Sequence, residues 1–206
     1  MEPEVTRLAT YLASLGVADL THTDRTYLAH SIGVYRGLKK WKCGEDICRA
    51  GFFHSIYGTE QFQDFALPLG RRAELRSFIG EQAETIVFAN CFMDRDTLDA
   101  HIGKPFGPYT LSHRVTGHAI SLSKPEFDDL VCVHLCDRLE TLPRSRNWDY
   151  RRAAYRQMAE RLGGVALADY RSVLALEPRK RFQNVGSSGI RWATRWVATL
   201  GRRIFD

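Results

Sequence analysis

The sequence lacks the features that mark secreted, membrane-spanning or repeat proteins. No apolar run approaches the ~18 uninterrupted residues that a membrane-spanning helix needs, and no repeat period is visible. Residues 1–7 are acidic and lack the basic and then apolar layout of a secretory signal. We therefore expect a cytoplasmic protein without a membrane partner.

The cysteines do not follow the spacing patterns that usually bind zinc or form a disulfide framework. The five cysteines are odd in number, include no Cys-X-X-Cys pair and lie within apolar stretches. Cys132 and Cys136 are four positions apart and would share a helix face, but a zinc site normally needs more sulfur or imidazole ligands. The pattern predicts reduced and mostly buried thiols.

Charge is distributed unevenly along the chain. Residues 144–206 carry 14 Lys and Arg against 5 Asp and Glu, whereas residues 1–143 carry 15 against 19. The basic residues are not interleaved with aromatic stacking motifs, so we interpret them as solvated helix faces and expect no nucleic-acid partner. A chain of 206 residues with 44% hydrophobic residues can bury one sizeable core. We predict a helical domain at 1–143 and a basic helical extension at 144–206 that packs on it.

The spacing of apolar residues predicts a mainly helical fold with one small β-hairpin at about 109–122. Helices are expected at 23–41, 45–58, 71–79, 81–92, 127–142, 150–162, 166–176 and 190–205. Period-two alternation predicts strands at 109–114 and 118–122 around a tight turn at Gly117. Ser123 and Glu126, with Pro125 between them, form a predicted capping box before the 127–142 helix. The apolar stripe of the last helix is expected to dock on the protein's own core in preference to an anionic membrane.

Three residues on three predicted helices are candidates for a metal site: His30, His54 and Asp137. Side chains from adjacent helices converge inside many bundles to bind metals. Imidazole and carboxylate ligands together suit Mn, Fe, Zn or Ni. His134 lies one helical turn before Asp137 and is a candidate extra ligand or a hydrogen-bond partner of a ligand. The sequence therefore predicts one divalent metal ion, whose identity stays open.

Three short segments around these residues carry a resemblance to a known family. They read YLAHSIGV (27–34), AGFFH (50–54) and LCDRL (135–139). The first two are similar to the opening helices of the HD-domain superfamily of His-Asp metal-dependent phosphohydrolases. The third is similar to the Ala-Asp-Arg-Leu wording of the alarmone hydrolases of the stringent response. The resemblance covers about residues 20–142 and implies an HD-like helical bundle.

The chain departs from the superfamily pattern at two places. Ser55 stands where the superfamily has the Asp of its His-Asp pair, and losing this negative charge weakens a divalent site and disfavours a two-metal site. The Glu-Asp pair that serves alarmone hydrolases as acid and base is replaced by Gly58 and Thr59, with Glu60 one position later. The segment HSIYGTE (54–60) is similar to a divergent HD-like branch of the superfamily.

The resemblance also implies roles for residues near the metal site. Ser55 would orient a water molecule or a ligand. Glu60 would act as a shifted acid or base, or would be an exposed loop carboxylate. Arg138 would hold a phosphate group by bidentate hydrogen bonds, or would form an ordinary surface salt bridge. Glu84 would either point to the site or pair with an arginine. Further candidates for phosphate binding are Arg25, Arg71 and Arg72.

The pattern supports three hypotheses about function. The first is a metal-dependent enzyme that hydrolyses a phosphate ester or a nucleotide-like small molecule. The second is an HD-fold non-haem iron oxygenase, whose extra ligands would come from His101, His113, His118 or His134. The third is a catalytically degenerate ligand-binding or regulatory module, which Ser55 and the missing Glu-Asp pair favour. The substrate and the oligomeric state stay open.

Overall fold

The computed structural model describes residues 2–17, 20–22 and 25–178, without the side chains of residues 21, 22 and 25. This part of the chain is mainly helical, as predicted, and carries a small β-hairpin. The helices are α1 (Pro3–Ser14), α2 (Tyr27–Lys40), α3 (Glu45–Phe52), α4 (Arg72–Ile79), α5 (Glu81–Phe92), α6 (Arg95–Ile102), α7 (Lys124–Thr141), α8 (Arg152–Leu162) and α9 (Gly164–Leu174). The antiparallel strand pairs are β1 (Thr21–His22) with β2 (Arg25–Thr26), and β3 (Tyr109–Ser112) with β4 (Ala119–Leu122).

Helix α7 lies at the centre of the bundle, where it contacts α2, α3, α5, α8 and α9. Its side chains Leu130, Val133 and Leu135 are fully buried although they point in different directions around the helix. A helix that is apolar on all sides belongs in the interior of a protein. The predicted capping box at its start is confirmed, because Ser123 and Glu126 each bond the other's backbone N–H.

Two glycines let α2 approach α7 closely. A Cβ atom on Gly33 would lie 2.8 Å from the Glu140 side chain, and one on Gly37 would lie 2.6 Å from the sulfur of Cys136. Glycine in a helix interior costs about 1 kcal/mol relative to alanine. Here the missing side chains leave room for the neighbouring helix, so that side chains on α2 and α7 can meet.

Several helix boundaries differ from the prediction, and two of these differences bear on the site. Helix α2 begins at Tyr27 rather than at residue 23, because Thr26 is its cap and accepts a hydrogen bond from the N–H of Ala29 at 3.1 Å. Helix α3 ends at Phe52, and residues 53–57 form a turn that closes at Gly58, whose φ is 77°. His54 therefore lies in a turn, where its backbone carbonyl is available to side chains from other helices.

The sequence interpretation did not include α1 and α6. Helix α1 begins at Pro3 and buries Val5, Leu8 and Leu12, which follow helical spacing. Helix α6 is capped by Asp94, whose carboxylate accepts from the N–H of Thr97 at 3.0 Å. Proline at the start of α1 and Asp94 before α6 are usual start signals of a helix, so both helices could have been predicted from the sequence.

The hairpin is confirmed, with strands shorter than predicted. Tyr109 pairs with Leu122 and Ser112 with Ala119, and Gly117 in the connecting loop has a φ of 72°. Helices α8 and α9 form the described part of the predicted extension, and both pack on α7. The predicted helix at 190–205 lies outside the described residues. Among the residues that the structure describes, no helix is both long enough and apolar enough to cross a membrane.

Candidate metal centre

Three side chains meet between α2, α7 and the turn that follows α3. The Nε2 atoms of His30 and His54 are 3.2 Å apart. The Oδ1 atom of Asp137 lies 3.2 Å from the first and 3.4 Å from the second. The prediction that these three residues converge as a group able to hold a metal ion is confirmed.

The spacing of the three donors suits a small divalent cation. Ligands about 2.0–2.1 Å from one tetrahedral ion are about 3.3–3.4 Å apart, which agrees with the triangle of His30, His54 and Asp137. The side chains of His30 and His54 are 1% and 2% exposed, whereas the Asp137 side chain is 24% exposed. The group is therefore closed on the side of the imidazoles and open on the side of the carboxylate.

Hydrogen bonds to the other ring nitrogens orient both imidazoles. Nδ1 of His30 lies 2.6 Å from Oε2 of Glu140, whose other oxygen pairs with Arg144 at 2.7 Å. Nδ1 of His54 lies 2.8 Å from the carbonyl oxygen of Gly51. A carboxylate and a carbonyl can only accept, so Nδ1 carries the proton in each ring. When the rings are neutral, each Nε2 directs its lone pair at the common point, as in many metal-binding histidines.

A second layer of side chains holds the backbone of His54 in place. The amide nitrogen of Asn90 donates to the His54 carbonyl at 2.8 Å, and the amide oxygen of Asn90 accepts from Nδ1 of His134 at 3.1 Å. Nε2 of His134 accepts in turn from Arg151 at 3.0 Å. Burial, with the nearby charges of Arg95 and Arg151, holds the pKa of His134 well below its usual value. His134 is therefore a neutral supporting residue behind His54 and is not one of the converging donors.

The charges within the group favour a cation between the donors. Burial opposes a charge on His30, but hydrogen bonds to Asp137 and Glu140 outweigh it and raise the pKa of His30 to about 9. Burial likewise opposes ionisation of Asp137, but His54 and His30 hold its pKa well below the usual range. At neutral pH the two carboxylates are ionised, and a proton on His30 balances part of their charge. A divalent ion can replace that proton, because metal binding and deprotonation of ligands are coupled.

A cavity of about 230 Å³ lies on the open side of the group. Its walls include the donors His54 and Asp137 and the charged side chains Asp64, Arg95 and Arg138. The two guanidinium groups make this wall suited to an anion, while the carboxylate of Asp64 can accept a proton. The cavity therefore joins a metal-binding corner to an anion-binding wall.

Ser55, the residue after His54, also lines the cavity. Ser55 is 1% exposed, and its hydroxyl donates a hydrogen bond to the hydroxyl oxygen of Tyr27 at 3.1 Å. The ring of Tyr27 packs against Phe62, another residue of the cavity wall. A neutral pair of hydroxyl groups thus lies beside the donor group, in which Asp137 is the one carboxylate donor.

The other two residues with predicted chemical roles lie at different depths. Arg138 lines the cavity, and its guanidinium group lies 5.5 Å from the ring centre of Tyr155 and donates to the carbonyl of Asn147. Glu60 is absent from the cavity wall, and its half-exposed carboxylate pairs with Arg95 at 3.1 Å. The structure thus brings Arg138 to the site directly and Glu60 only through Arg95.

The remaining predicted arginines and histidines have other partners. Arg71 pairs with Glu74 at 2.6 Å and Arg72 pairs with Glu84 at 2.7 Å, and neither residue lines the cavity. The side chain of Arg25 lies outside the described residues. His101 and His113 bond within their own segments, and His118 is exposed on the hairpin loop. Within the described chain, none of these histidines belongs to the donor group.

Sequence reasoning missed several residues that build the site. Glu140 had a usable signal, because it lies three positions after Asp137 and therefore on the same side of α7. Asn90 reaches the site through the backbone carbonyl of His54, which lies 36 positions away in the sequence. Arg95 and Tyr155 reach the cavity from segments far apart in the sequence, and no local pattern identifies them.

Residues 11–95 match the family model described as a domain of unknown function (DUF6817). The match covers less than half of the chain. It includes His30, His54 and Ser55 and ends before Asp137 and Glu140. No curated protein and no solved structure matches the chain. The similarity therefore covers the segment with the two imidazole donors but not the helix with the carboxylate donor.

Proposed function

We propose that this protein is a metal-dependent hydrolase that cleaves a phosphate ester or a nucleotide-like small molecule. One observation carries the proposal: the donor atoms of His30, His54 and Asp137 form a triangle of 3.2–3.4 Å that opens onto a cavity with two arginines. A metal site alone would suit many reactions. Its combination with an anion-binding wall favours phosphate chemistry over oxidation.

The residues divide the work according to their positions. His30, His54 and Asp137 would hold one Mn, Fe, Zn or Ni ion, which supplies Lewis acidity and lowers the pKa of bound water. Arg138 and Arg95 bind the phosphate oxygens by charge-assisted hydrogen bonds. Asp64, a carboxylate on the cavity wall, accepts a proton from the attacking water. We assign this role to Asp64 in place of Glu60, because Glu60 lies outside the wall and pairs with Arg95.

Ser55 limits the metal content of the proposed site. A two-metal hydrolase needs a carboxylate able to bridge or chelate, and the Ser55 hydroxyl is neutral and bonded to Tyr27. We therefore expect one ion per chain. The same feature favours the second candidate function, a ligand-binding module that keeps the anion-binding wall without catalysis.

The test begins with the full-length protein, loaded separately with Mn²⁺, Fe²⁺, Zn²⁺ and Ni²⁺, desalted and analysed for bound metal. We expect about one ion per chain for at least one metal. His54→Ala should lose at least 100-fold in affinity, because one of three ligands is removed. His118→Ala is the matched control, since His118 is exposed on the hairpin loop, and it should bind as wild type.

The loaded protein is then assayed for phosphate release from a panel of phosphomonoesters, nucleotides and phosphodiesters. Turnover that depends on the metal and falls in Asp64→Asn, with a raised KM in Arg138→Ala, supports the hydrolase. One bound ion, with phosphate compounds that bind but are not cleaved, favours the ligand-binding module. Absence of any bound metal in the folded protein contradicts the metal centre itself.

A further inference from the structure

Two cysteine sulfurs meet at the surface end of the α2 and α7 pair. The Sγ atoms of Cys43 and Cys132 are 3.3 Å apart, although 89 positions separate the residues in the sequence. Cys43 is partly exposed and Cys132 is 9% exposed. A disulfide bond has a sulfur–sulfur distance of about 2.05 Å, so a closing movement of about 1.2 Å separates this contact from a covalent bond.

The end of α2 fixes the direction of Cys43. Lys42 adopts a left-handed conformation with a φ of 63°, and its N–H bonds to the carbonyl of Lys39 at 3.0 Å. The N–H of Cys43 bonds to the carbonyl of Leu38 at 3.1 Å. These two bonds form a Schellman motif, which terminates the helix and turns the next residue back over its last turn. Cys43 is thereby held against α7 by backbone hydrogen bonds.

The two thiols have unequal acidity. The hydrogen bond from Cys132 stabilises the Cys43 thiolate and lowers the pKa of Cys43, and the same contact raises the pKa of Cys132. Burial raises the pKa of Cys48 and of Cys91 to about 12 and raises that of Cys136 as well. Cys43 is therefore the one cysteine of the five that is both accessible and prone to form a thiolate, which is the reactive species.

We propose that Cys43 and Cys132 form a reversible disulfide that links α2 to α7 when the protein meets a hydroperoxide. The inference does not rest on the proposed hydrolase, because neither cysteine lines the cavity or belongs to the donor group. Cys43 is the attacking thiol and Cys132 is the resolving thiol.

The reaction has two steps. The Cys43 thiolate attacks one peroxide oxygen, which breaks the O–O bond and gives a sulfenic acid. The other oxygen of hydrogen peroxide leaves as hydroxide and takes a proton to become water. The sulfur of Cys132 then attacks the Cys43 sulfur, and the sulfenic hydroxyl leaves with the Cys132 proton as a second water. Two thiols lose two electrons in total, and the peroxide gains them. A dithiol reductant reverses the change by thiol–disulfide exchange.

The disulfide would join the two helices that carry His30 and Asp137. Cys132 precedes Asp137 by five positions, and Cys43 follows the last turn of α2. A covalent link between Cys43 and Cys132 fixes the distance between the C-terminal end of α2 and α7, next to the helix segments that carry the donor group. In the unfolded chain the same link closes a long loop, so the oxidised protein should melt at a higher temperature than the reduced protein.

The experiment uses the full-length, metal-free protein and hydrogen peroxide as the oxidant. Free thiols are counted under denaturing conditions before and after treatment, and again after dithiothreitol. Cross-linked peptides are identified after cleavage at Glu45, which separates Cys43 from Cys48, and at Leu135, which separates Cys132 from Cys136. The test variants are Cys43→Ser, Cys132→Ser and Cys132→Ala, and the matched control is Cys48→Ala, with circular dichroism to show that each is folded.

We expect wild type to fall from five free thiols to three, and Cys48→Ala to fall from four to two. Both should give a Cys43–Cys132 peptide that dithiothreitol removes. Cys43→Ser and either Cys132 variant should form no disulfide at the same dose. Peptides that join other cysteines would overturn the proposal. So would a folded wild type that keeps all five thiols at a dose that oxidises a small dithiol. Neither result bears on metal binding, so the hydrolase proposal stands or falls separately.

Discussion

Two buried polar clusters in this protein differ in how their charges are balanced. In the first, the fully buried carboxylate of Glu84 accepts two hydrogen bonds from Arg72 at 2.7 and 2.9 Å, two from Arg76 at 3.1 and 3.4 Å and one from Tyr57 at 3.0 Å. Burial opposes ionisation of Glu84, but Arg72 outweighs it and lowers the pKa of the carboxyl. The chain itself supplies every cation that this carboxylate needs.

The second cluster, the donor group, has two carboxylates near two imidazoles. Asp137 faces both rings and Glu140 faces one, and each ring directs a nitrogen at a common point. Arg144 pairs with the other oxygen of Glu140, and the only positive charge that the rings can offer Asp137 is a proton. Buried charges need partners of the opposite charge. A cluster whose acid is paired with cations of the chain stabilises packing. A cluster whose donor atoms converge on one point is suited to an external ion. Both contain a buried acid, and they differ in the groups that balance its charge and in the direction of its neighbours.

The largest effect should come from disrupting the Glu84 cluster. Glu84→Gln removes the charge that balances two guanidinium groups, and we expect a loss of about 3–4 kcal/mol in the free energy of unfolding, because breaking a buried ion pair leaves charges uncompensated. Metal affinity should not change. Urea unfolding and calorimetry measure the two quantities.

Glu74→Gln is the control for this change, because its pair with Arg71 is exposed on both sides and should contribute less than about 1 kcal/mol. If Glu84→Gln lowers metal affinity by more than a few-fold, the two clusters are coupled and the comparison fails.

The metal-free protein should lose stability as the pH rises from 6.5 to 9. The pKa of His30 is raised to about 9 in the folded protein, against 6.5 for a free histidine, so its stabilising contribution is complete below pH 6.5 and is lost as the pH rises through 9. The difference corresponds to about 3 kcal/mol. The Glu84 cluster contributes nothing to this slope, because a lowered carboxyl pKa affects stability only in acid.

Unfolding by urea across this pH range, with a chelator present, measures the slope. His30→Gln should flatten it, while ionisation of the cysteines affects both proteins alike. Saturating metal should also flatten the wild-type curve, because the ion replaces the proton. Equal slopes in wild type and His30→Gln would show that the donor group does not hold the proton.

Glu140→Gln should weaken metal binding by about 10- to 100-fold, because the carboxylate that orients a metal-bound imidazole contributes to ligand basicity and ring direction. Calorimetric titration measures the affinity. Glu177→Gln, which removes a carboxylate that pairs with Arg152 away from the site, should bind as wild type. An unchanged affinity in Glu140→Gln would mean that His30 needs no orienting partner.

The smallest effect is expected where α2 approaches α7. Gly33→Ala places a methyl group 2.8 Å from the Glu140 side chain and should displace it, which lowers metal affinity by about two- to five-fold through a less well oriented His30. Gly103→Ala is the matched control, since nothing lies within 4 Å of its new Cβ. If both variants bind alike, Glu140 adapts and the close approach serves packing alone.

Much of the fold could be predicted because its signals are local. The capping box at Ser123 and the positive φ at Gly117 each depend on a few consecutive residues, and both are confirmed. The end of α3 was predicted wrongly because residues 53–57 continue an apolar, helix-like pattern. Tertiary hydrogen bonds to the carbonyl of His54 from Asn90 and Cys91 accompany the turn there instead.

The sequence by itself determined which donors the chain offers, because imidazole and carboxylate chemistry and their positions at His30, His54 and Asp137 are written in it. Only the tertiary structure decided how these donors are used. The ring of His30 is oriented by Glu140, 110 positions away, and Gly33 and Gly37 bring their helices together. Hydrogen-bond direction depends on distances of a few tenths of an ångström between distant segments, and no local pattern encodes such distances.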